Sequence, residues 1–149
     1  QATLREAEAA LGEAGGGRTA IMHKQAGALL HAGMGHAGVA TGLMDEAQTA
    51  IDALAPPRGS ASPIKPVYEL YGEILLDLDQ PDNAIEKFET SLLRMPNRPR
   101  SLLGLARAHV AAGNVHEAAE AYQRLMKVWA GRESFEGYQE AMRYLEGAH

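Results

Sequence analysis

The sequence predicts an all-α fold in which antiparallel helical hairpins stack into a short right-handed solenoid of about seven or eight helices. Three observations predict it: residue sizes that recur at a fixed interval, small residues where paired helices must approach closely, and turn residues or prolines where helices must end. With 149 residues, 46% of them hydrophobic, and a net charge of −5, the chain is typical of one soluble globular unit. We therefore predict a single helical-repeat domain over residues 1–149.

Two segments of the C-terminal half repeat the same order of residue sizes. The first series is Tyr68, Tyr71, Gly72, Leu75, Asp79, Ala84, Phe88, Ser91 and Pro96. A shift of 34 positions gives the second series, which is Leu102, Leu105, Ala106, His109, Gly113, Ala118, Tyr122, Leu125 and Ala130. Because large, small, turn and aromatic residues recur in order, we predict one hairpin in residues 65–98 and another in residues 99–132.

Each recurring position has a physical reason. Tyr68, Tyr71 and Leu75 are three and four residues apart, so they form one apolar stripe on a helix. Gly72 is small where the two helices of a hairpin approach closely. Pro96 ends the second helix because it cannot donate the next intrahelical hydrogen bond. The pattern therefore specifies both the helices and their packing.

Residues that favour turns and helix caps predict where two helices start, independently of the apolar pattern. Pro81 suits a first helical position. Asn114, with Glu117 three residues later, predicts a capping box after the turn at Gly113.

Residues 1–64 are predicted to form degenerate helices that include one eroded repeat. The Pro-rich linker Pro56–Pro66 leads from them to the next hairpin. In this alignment Gly42 is the turn and Asp45 begins the second helix. The first helix is predicted from about Thr19, running on to about Gly42, and its signature positions are His31, Met34, Gly35 and Gly38. Interior glycines cost roughly 1 kcal/mol each relative to alanine, so we expect a soft hairpin.

Helices are also predicted at the two ends. Leu4–Glu13 has the pattern of a short helix closed by a glycine triplet. Residues 133–149 are predicted to cap the array, with a helix over Ser134–Leu145. The residues expected to share its apolar face are Phe135, Tyr138, Met142 and Leu145.

The recurring series resembles the tetratricopeptide repeat, whose pattern is W-x2-L-G-x2-Y, then A-x3-F, then P. The similarity covers roughly Pro63–Trp129. Two segments look like the closing repeats of larger bacterial tetratricopeptide proteins. They are Glu69-Leu70-Tyr71-Gly72-Glu73 and Ser101-Leu102-Leu103-Gly104-Leu105-Ala106. The resemblance implies a bacterial source, a scaffold for a protein or peptide partner, and no catalytic residues or cofactor.

Composition excludes several other functions. Without cysteine there is no disulfide framework, thiolate metal site or cysteine nucleophile. No Lys/Arg run is present, which argues against nucleic-acid binding. The uncharged stretch Gly27–Met44 contains five glycines and two histidines, so we interpret it as close-packed helices and not as a membrane span.

Catalytic motifs are missing from the sequence, so we expect no enzyme activity. There is no Gly-x-Ser-x-Gly, and the triplet Gly15–Gly17 lacks the Lys-Ser/Thr that follows a phosphate-binding loop. The compartment, cytoplasmic or periplasmic, stays open.

A histidine and methionine cluster is the one candidate metal site. Imidazole and thioether ligands together suit copper. The candidates are His23, His31, His36 and Met34, accompanied by Met22 and Met44. Several of them fall on predicted core positions, where methionine is a common gap-filler, so packing is the preferred interpretation.

The expected partner-binding surface is the concave face, which the first helices of successive hairpins line in such arrays. The residues predicted there are Glu69, Glu73, Leu76, Asp77, Arg100, Leu103, Arg107, Val110 and His36. They would place an acidic strip beside a basic and apolar one, which suits a peptide with anchors of both kinds. Glu69 and Glu73 oppose capture of a C-terminal carboxylate.

Two alternatives stay open. Glu73 and Arg107 occupy identical repeat positions and could pair with each other. The chain could also be a structural or oligomerisation segment, as a homodimer or against further repeats, with the glycine-rich helix and residues 135–145 as contact surfaces.

Overall fold

The structure, a computed structural model, describes residues 17–54 and 65–147. These residues form seven α-helices and no strand. The helices are α1 Gly17–Gly33, α2 Ala37–Ala53, α3 Val67–Asp77, α4 Pro81–Arg94, α5 Pro99–Ala112, α6 Val115–Val128 and α7 Glu136–Gly147. The predicted all-α fold of stacked helical hairpins is confirmed. The predicted helix Leu4–Glu13 lies outside the described residues.

The turns inside the three hairpins α1–α2, α3–α4 and α5–α6 share one backbone geometry. Gly35, Asp79 and Gly113 have φ values of 75°, 58° and 79°, all in the left-handed region. In each turn the following amide donates back to the carbonyl five residues earlier. The three bonds are His36 to His31 at 2.8 Å, Gln80 to Leu75 at 2.9 Å and Asn114 to His109 at 2.9 Å. This pattern satisfies the last carbonyls of each first helix and makes the three hairpins equivalent.

The register predicted for the first hairpin was wrong. Its turn is at Gly35, whereas Gly42 and Gly38 lie inside α2 and α1 ends at Gly33. With the turn at Gly35, each position of the first hairpin lies 44 residues before the equivalent position of the second hairpin. Ala28, Ala40, Met44 and Ala47 correspond to Gly72, Ala84, Phe88 and Ser91, and each of the eight is buried. The structure therefore contains three equivalent hairpins, with the extra residues of the first interval in the connection to α3.

The helix starts agree with the predictions in part. Pro81 is the first residue of α4, as expected. Asn114 precedes α6, but its side chain makes no capping bond, so the predicted capping box is wrong. The Asn114 Nδ2 instead lies 3.3 Å from His109 Nδ1.

Phe88 is the centre of the core. Its ring is fully buried between two glycines of neighbouring first helices, Gly72 in α3 and Gly104 in α5. A Cβ atom at Gly104 would lie 2.3 Å from the ring, and one at Gly72 would lie 2.8 Å from it. These glycines are thus required by the close approach of the helices to Phe88.

The face that α7 buries differs from the prediction. Gly137 and Ala141 are buried, and Tyr144 and Leu145 pack partly against the core. Phe135 and Met142 are exposed. The small Gly137 leaves room for the side chains of Trp129 and Leu103.

First helices lie nearer to one another than second helices do. α1 contacts α3 and α3 contacts α5, whereas within residues 17–54 and 65–147 the second helices α2, α4 and α6 make no comparable contacts with each other. The first helices therefore form the inner side of the array. No helix within the described ranges is long and apolar enough to cross a membrane.

Candidate functional site

Glu69, predicted to face the groove, is instead part of the interior. It is fully buried and accepts hydrogen bonds from Arg98 Nε at 2.6 Å and Nη2 at 3.0 Å. Ser101 Oγ donates to the same carboxylate at 2.8 Å, and it lies 2.9 Å from Ser91 Oγ. The hydrogen bond to Glu69 raises the pKa of the Arg98 guanidinium. This prediction was wrong because the position faces the next hairpin and not solvent.

The same position has the same role in each hairpin. Gln25, 44 residues before Glu69, is buried and donates from Nε2 to the carbonyl of Lys65 at 2.9 Å. Leu103, 34 residues after it, packs against α7, where a Cβ at Gly137 would lie 2.9 Å from Leu103 Cδ2. Leu103 was predicted as a groove residue, but it mainly holds the neighbouring helix.

Arg107 is engaged with the C-terminal helix. Its Nε and Nη2 donate to the two oxygens of Glu140 at 2.9 and 2.6 Å. Tyr122 also donates to Glu140, at 2.7 Å. The hydrogen bond from Arg107 makes the largest contribution, and together with the bond from Tyr122 it holds the pKa of the Glu140 carboxyl below its usual range. Since Glu73 pairs with Lys65, the alternative that Glu73 and Arg107 pair with each other was wrong.

Besides Arg107, which is half exposed but paired with Glu140, four predicted residues remain accessible on the inner side. Arg100 and Asp77 are exposed, Val110 is 43% exposed, and Leu76 is half-buried against the core. His36 is not among them, because it lies in the turn between α1 and α2. The accessible set is thus smaller and more apolar than the sequence suggested.

Two apolar residues of α1 join this surface. Leu29 occupies the repeat position of Glu73 and Arg107, and Met22 that of Pro66 and Arg100. They are 50% and 46% exposed. The sequence contained this signal, but the misplaced turn at Gly42 put both residues in the wrong register. We call Met22, Leu29, Leu76 and Val110 the apolar inner strip.

Two tyrosines of α3 donate hydrogen bonds to carboxylates of α2. Tyr68 donates to both oxygens of Asp52 at 2.8 and 3.0 Å, and Arg94 pairs with the same carboxylate at 2.6 Å. Burial, with the bond to Asp52, raises the pKa of Tyr68 to about 12. Tyr71 donates to Asp45 at 2.6 Å. These contacts fix α2 against α3 and α4.

A groove of about 430 Å³ opens where the second helices α2 and α4 diverge. Its floor includes Tyr71 and Leu75, and its rim includes Gly38, Asn83 and Lys87. The groove is small and polar at its rim, so it offers fewer apolar anchors than the inner strip.

The proposed histidine and methionine cluster is largely dispersed. Met44 is a core residue, Met34 is exposed, and the buried Nδ1 of His23 has no hydrogen-bond partner among the described residues. Only His31 and His36 come together, with their Nδ1 atoms 3.2 Å apart. In the part of the chain that the structure describes, no three His, Cys, Asp or Glu side chains converge as a metal-ligand group.

Comparison with known proteins agrees with this architecture. Residues 75–128 match the family described as tetratricopeptide repeat, from the last turn of α3 to the end of α6. Over this segment the chain is similar to the tetratricopeptide repeat family. No curated protein matches the chain.

Proposed function

We propose that this chain binds a short segment of a partner protein along the inner side of the array, since tetratricopeptide repeats generally mediate protein–protein interactions. The observation that supports the proposal is the apolar inner strip. Met22, Leu29 and Val110 each leave close to half of their surface exposed on the inner side of the array. An exposed apolar strip rimmed by charges is typical of an interaction site.

Arg100 favours a partner segment that carries an acidic residue as well as apolar ones, and the exposed Asp77 favours a basic residue in the same segment. The carboxylates of Glu73 and Glu140 are already paired with Lys65 and Arg107. Arg100, by contrast, is exposed and forms no ion pair within the described ranges. A carboxylate of the partner could therefore pair with Arg100 while apolar side chains cover Leu76 and Val110.

Arg107 is a poor probe of this face. Its replacement by Glu would place two carboxylates together at Glu140 and detach α7. Loss of binding would then report on folding as much as on recognition. Val110 is a better choice, since its side chain is exposed and in the last helical turn of α5.

The test is selection of peptides on the intact chain from a displayed random library, followed by affinity measurement for Val110→Lys. Leu93→Lys is the matched control, because Leu93 is 82% exposed and also lies in the last turn of its helix, on the outer second helix α4. A cation is favourable at both positions near a helix C-terminus. We expect Val110→Lys to weaken binding at least about tenfold, as for loss of an apolar anchor.

Leu93→Lys should leave the affinity unchanged. Equal affinity for the two variants would count against the inner side, and loss in Leu93→Lys alone would move the site to the outer helices. Circular dichroism spectra of both variants should match the parent chain.

A second proposal is a structural role as part of a longer helical array. Leu30 in α1 occupies the position of Ile74 in α3 and Ala108 in α5, which are both fully buried. Leu30 is 42% exposed. Light scattering of the parent chain and of Leu30→Glu tests self-association through this face. A dimer that Leu30→Glu dissociates would favour the structural role, whereas a monomer in both cases would contradict self-association there.

A further inference from the structure

The turn of the first hairpin brings two imidazoles within reach of one ion. His31 lies in the last turn of α1 and His36 immediately precedes α2. Their Nδ1 atoms are 3.2 Å apart, and their ring centroids are 5.5 Å apart with a tilt of 37°. We infer that His31 and His36 form a two-imidazole site for a divalent transition-metal ion, with Cu²⁺ preferred over Zn²⁺.

The spacing of the nitrogens supports this site. Imidazole nitrogens bind Zn²⁺ at about 2.0–2.1 Å, so two of them 3.2 Å apart subtend roughly 100° at a shared ion. That angle lies between the right angle of square-planar coordination and the tetrahedral angle. Both Cu²⁺ and Zn²⁺ can therefore accept the pair with small side-chain rotations.

The backbone holds the pair in place. The His36 amide donates to the carbonyl of His31 at 2.8 Å, and the left-handed φ of Gly35 closes the turn between them. His36 is exposed and His31 partly so, which leaves the site open to solvent. An ion needs little reorganisation of the turn to bind there.

Binding of an ion requires one hydrogen of the His31–His36 pair to move. In the neutral pair one Nδ1 carries the hydrogen and the other accepts it. On binding, both Nδ1 atoms must present lone pairs, so that hydrogen moves through solvent to the Nε2 of the same ring. No net proton is released from the neutral pair, and solvent completes the coordination of the ion.

Cu²⁺ is expected to bind more tightly than Zn²⁺, because imidazole ligands follow the Irving–Williams order. No third His, Cys, Asp or Glu side chain converges on the pair among the described residues, which limits the affinity. The bound ion would join the end of α1 to the start of α2 and so stabilise the glycine-rich hairpin.

The experiment is isothermal titration of the untagged full chain with CuCl₂ and, separately, with ZnCl₂. We expect one saturable Cu²⁺ site per chain and a rise in Tm on addition of Cu²⁺. His31→Gln and His36→Gln should each lower the Cu²⁺ affinity at least about tenfold, because one imidazole alone binds weakly. Both variants keep a polar surface side chain, so they should remain folded.

His116→Gln is the control, since His116 is exposed on α6 and belongs to a different hairpin. It should bind Cu²⁺ like the parent chain. The inference is overturned by a lack of saturable Cu²⁺ uptake, or by equal affinity in His31→Gln, His36→Gln and the parent chain. Tighter binding of Zn²⁺ than of Cu²⁺ would overturn the stated preference.

Discussion

The carboxylate of Glu69 is fully buried beneath the guanidinium of Arg98, which donates two hydrogen bonds to it at 2.6 and 3.0 Å. Arg98 immediately precedes α5, so this pair fixes the start of one hairpin on the first helix of the previous one. Burial of a charge is costly unless it is paired, and the contact therefore sets how the second and third hairpins stack.

Glu69→Gln should destabilise the protein. The amide cannot accept both guanidinium bonds and the Ser101 hydroxyl equally well, and loss of bonds to a charged group costs about 1.5–3 kcal/mol. Glu73→Gln is the matched control, since its pair with Lys65 is partly exposed and should contribute less than about 1 kcal/mol. Urea unfolding measures both; equal losses would contradict the role assigned to Glu69.

Gly104→Ala should also be destabilising, because its methyl group would collide with the buried Phe88 ring. Overpacking of a close-packed core costs roughly 1–3 kcal/mol. Gly42→Ala is the control: it lies inside α2 with open space around its Cβ position, and alanine there should stabilise by up to about 1 kcal/mol. Thermal unfolding of both variants checks the opposite signs. A neutral Gly104→Ala would show that Phe88 is not held as tightly as the structure indicates.

The turn residues allow a pair of opposite substitutions. Asp79 has a φ of 58° where the equivalent residues are glycines, so Asp79→Gly should stabilise by about 0.5–1 kcal/mol by relieving the left-handed strain. Gly113→Ala should destabilise by about 1 kcal/mol for the same reason, since no neighbouring atom would contact the added methyl. Chemical denaturation measures both free energies of unfolding. If the two changes had the same sign, the equivalence of the turns would be in doubt.

The pH dependence of stability should report on Glu140. The bond from Arg107 lowers the pKa of this carboxyl in the folded chain below its ordinary value of 4.5. The unfolded state therefore takes up the proton first as the pH falls, so the stabilisation is present above about pH 4.5 and is lost as the pH drops through the folded value. Tm measured from pH 7 to pH 3 should show the gap between the parent chain and Glu140→Gln closing at low pH. A gap that stays constant would contradict this assignment.

Much of the fold could be predicted because the two C-terminal hairpins carry both their turns and their small residues at an interval of 34 positions. The first hairpin could not be placed correctly, since Gly35 and Gly42 both suit a turn and the surrounding residues are too small to give a clear apolar stripe. Burial decides between them. A turn at Gly35 places Met44 where Phe88 lies in the next hairpin, and both are fully buried.

The groove residues were harder to predict than the helices. Whether a first-helix position faces solvent or the next hairpin depends on the rotation between hairpins, which periodicity within one helix does not specify. Glu69 and Leu103 were assigned to the open face, yet they contact the next hairpin and α7. Leu76 and Val110, each seven residues further along its helix than Glu69 and Leu103, do remain on the inner side.

The most direct test of the proposed binding face is an NMR titration of the full chain, with labelled Leu and Val methyl groups, against a peptide selected for binding. The structure places Leu29, Leu76 and Val110 on the inner side, and the exposed Leu93 and Val115 on second helices. We predict shift changes centred on the first three, with Leu93 and Val115 unaffected. Changes confined to Leu93 and Val115 would contradict the inner side as the binding face.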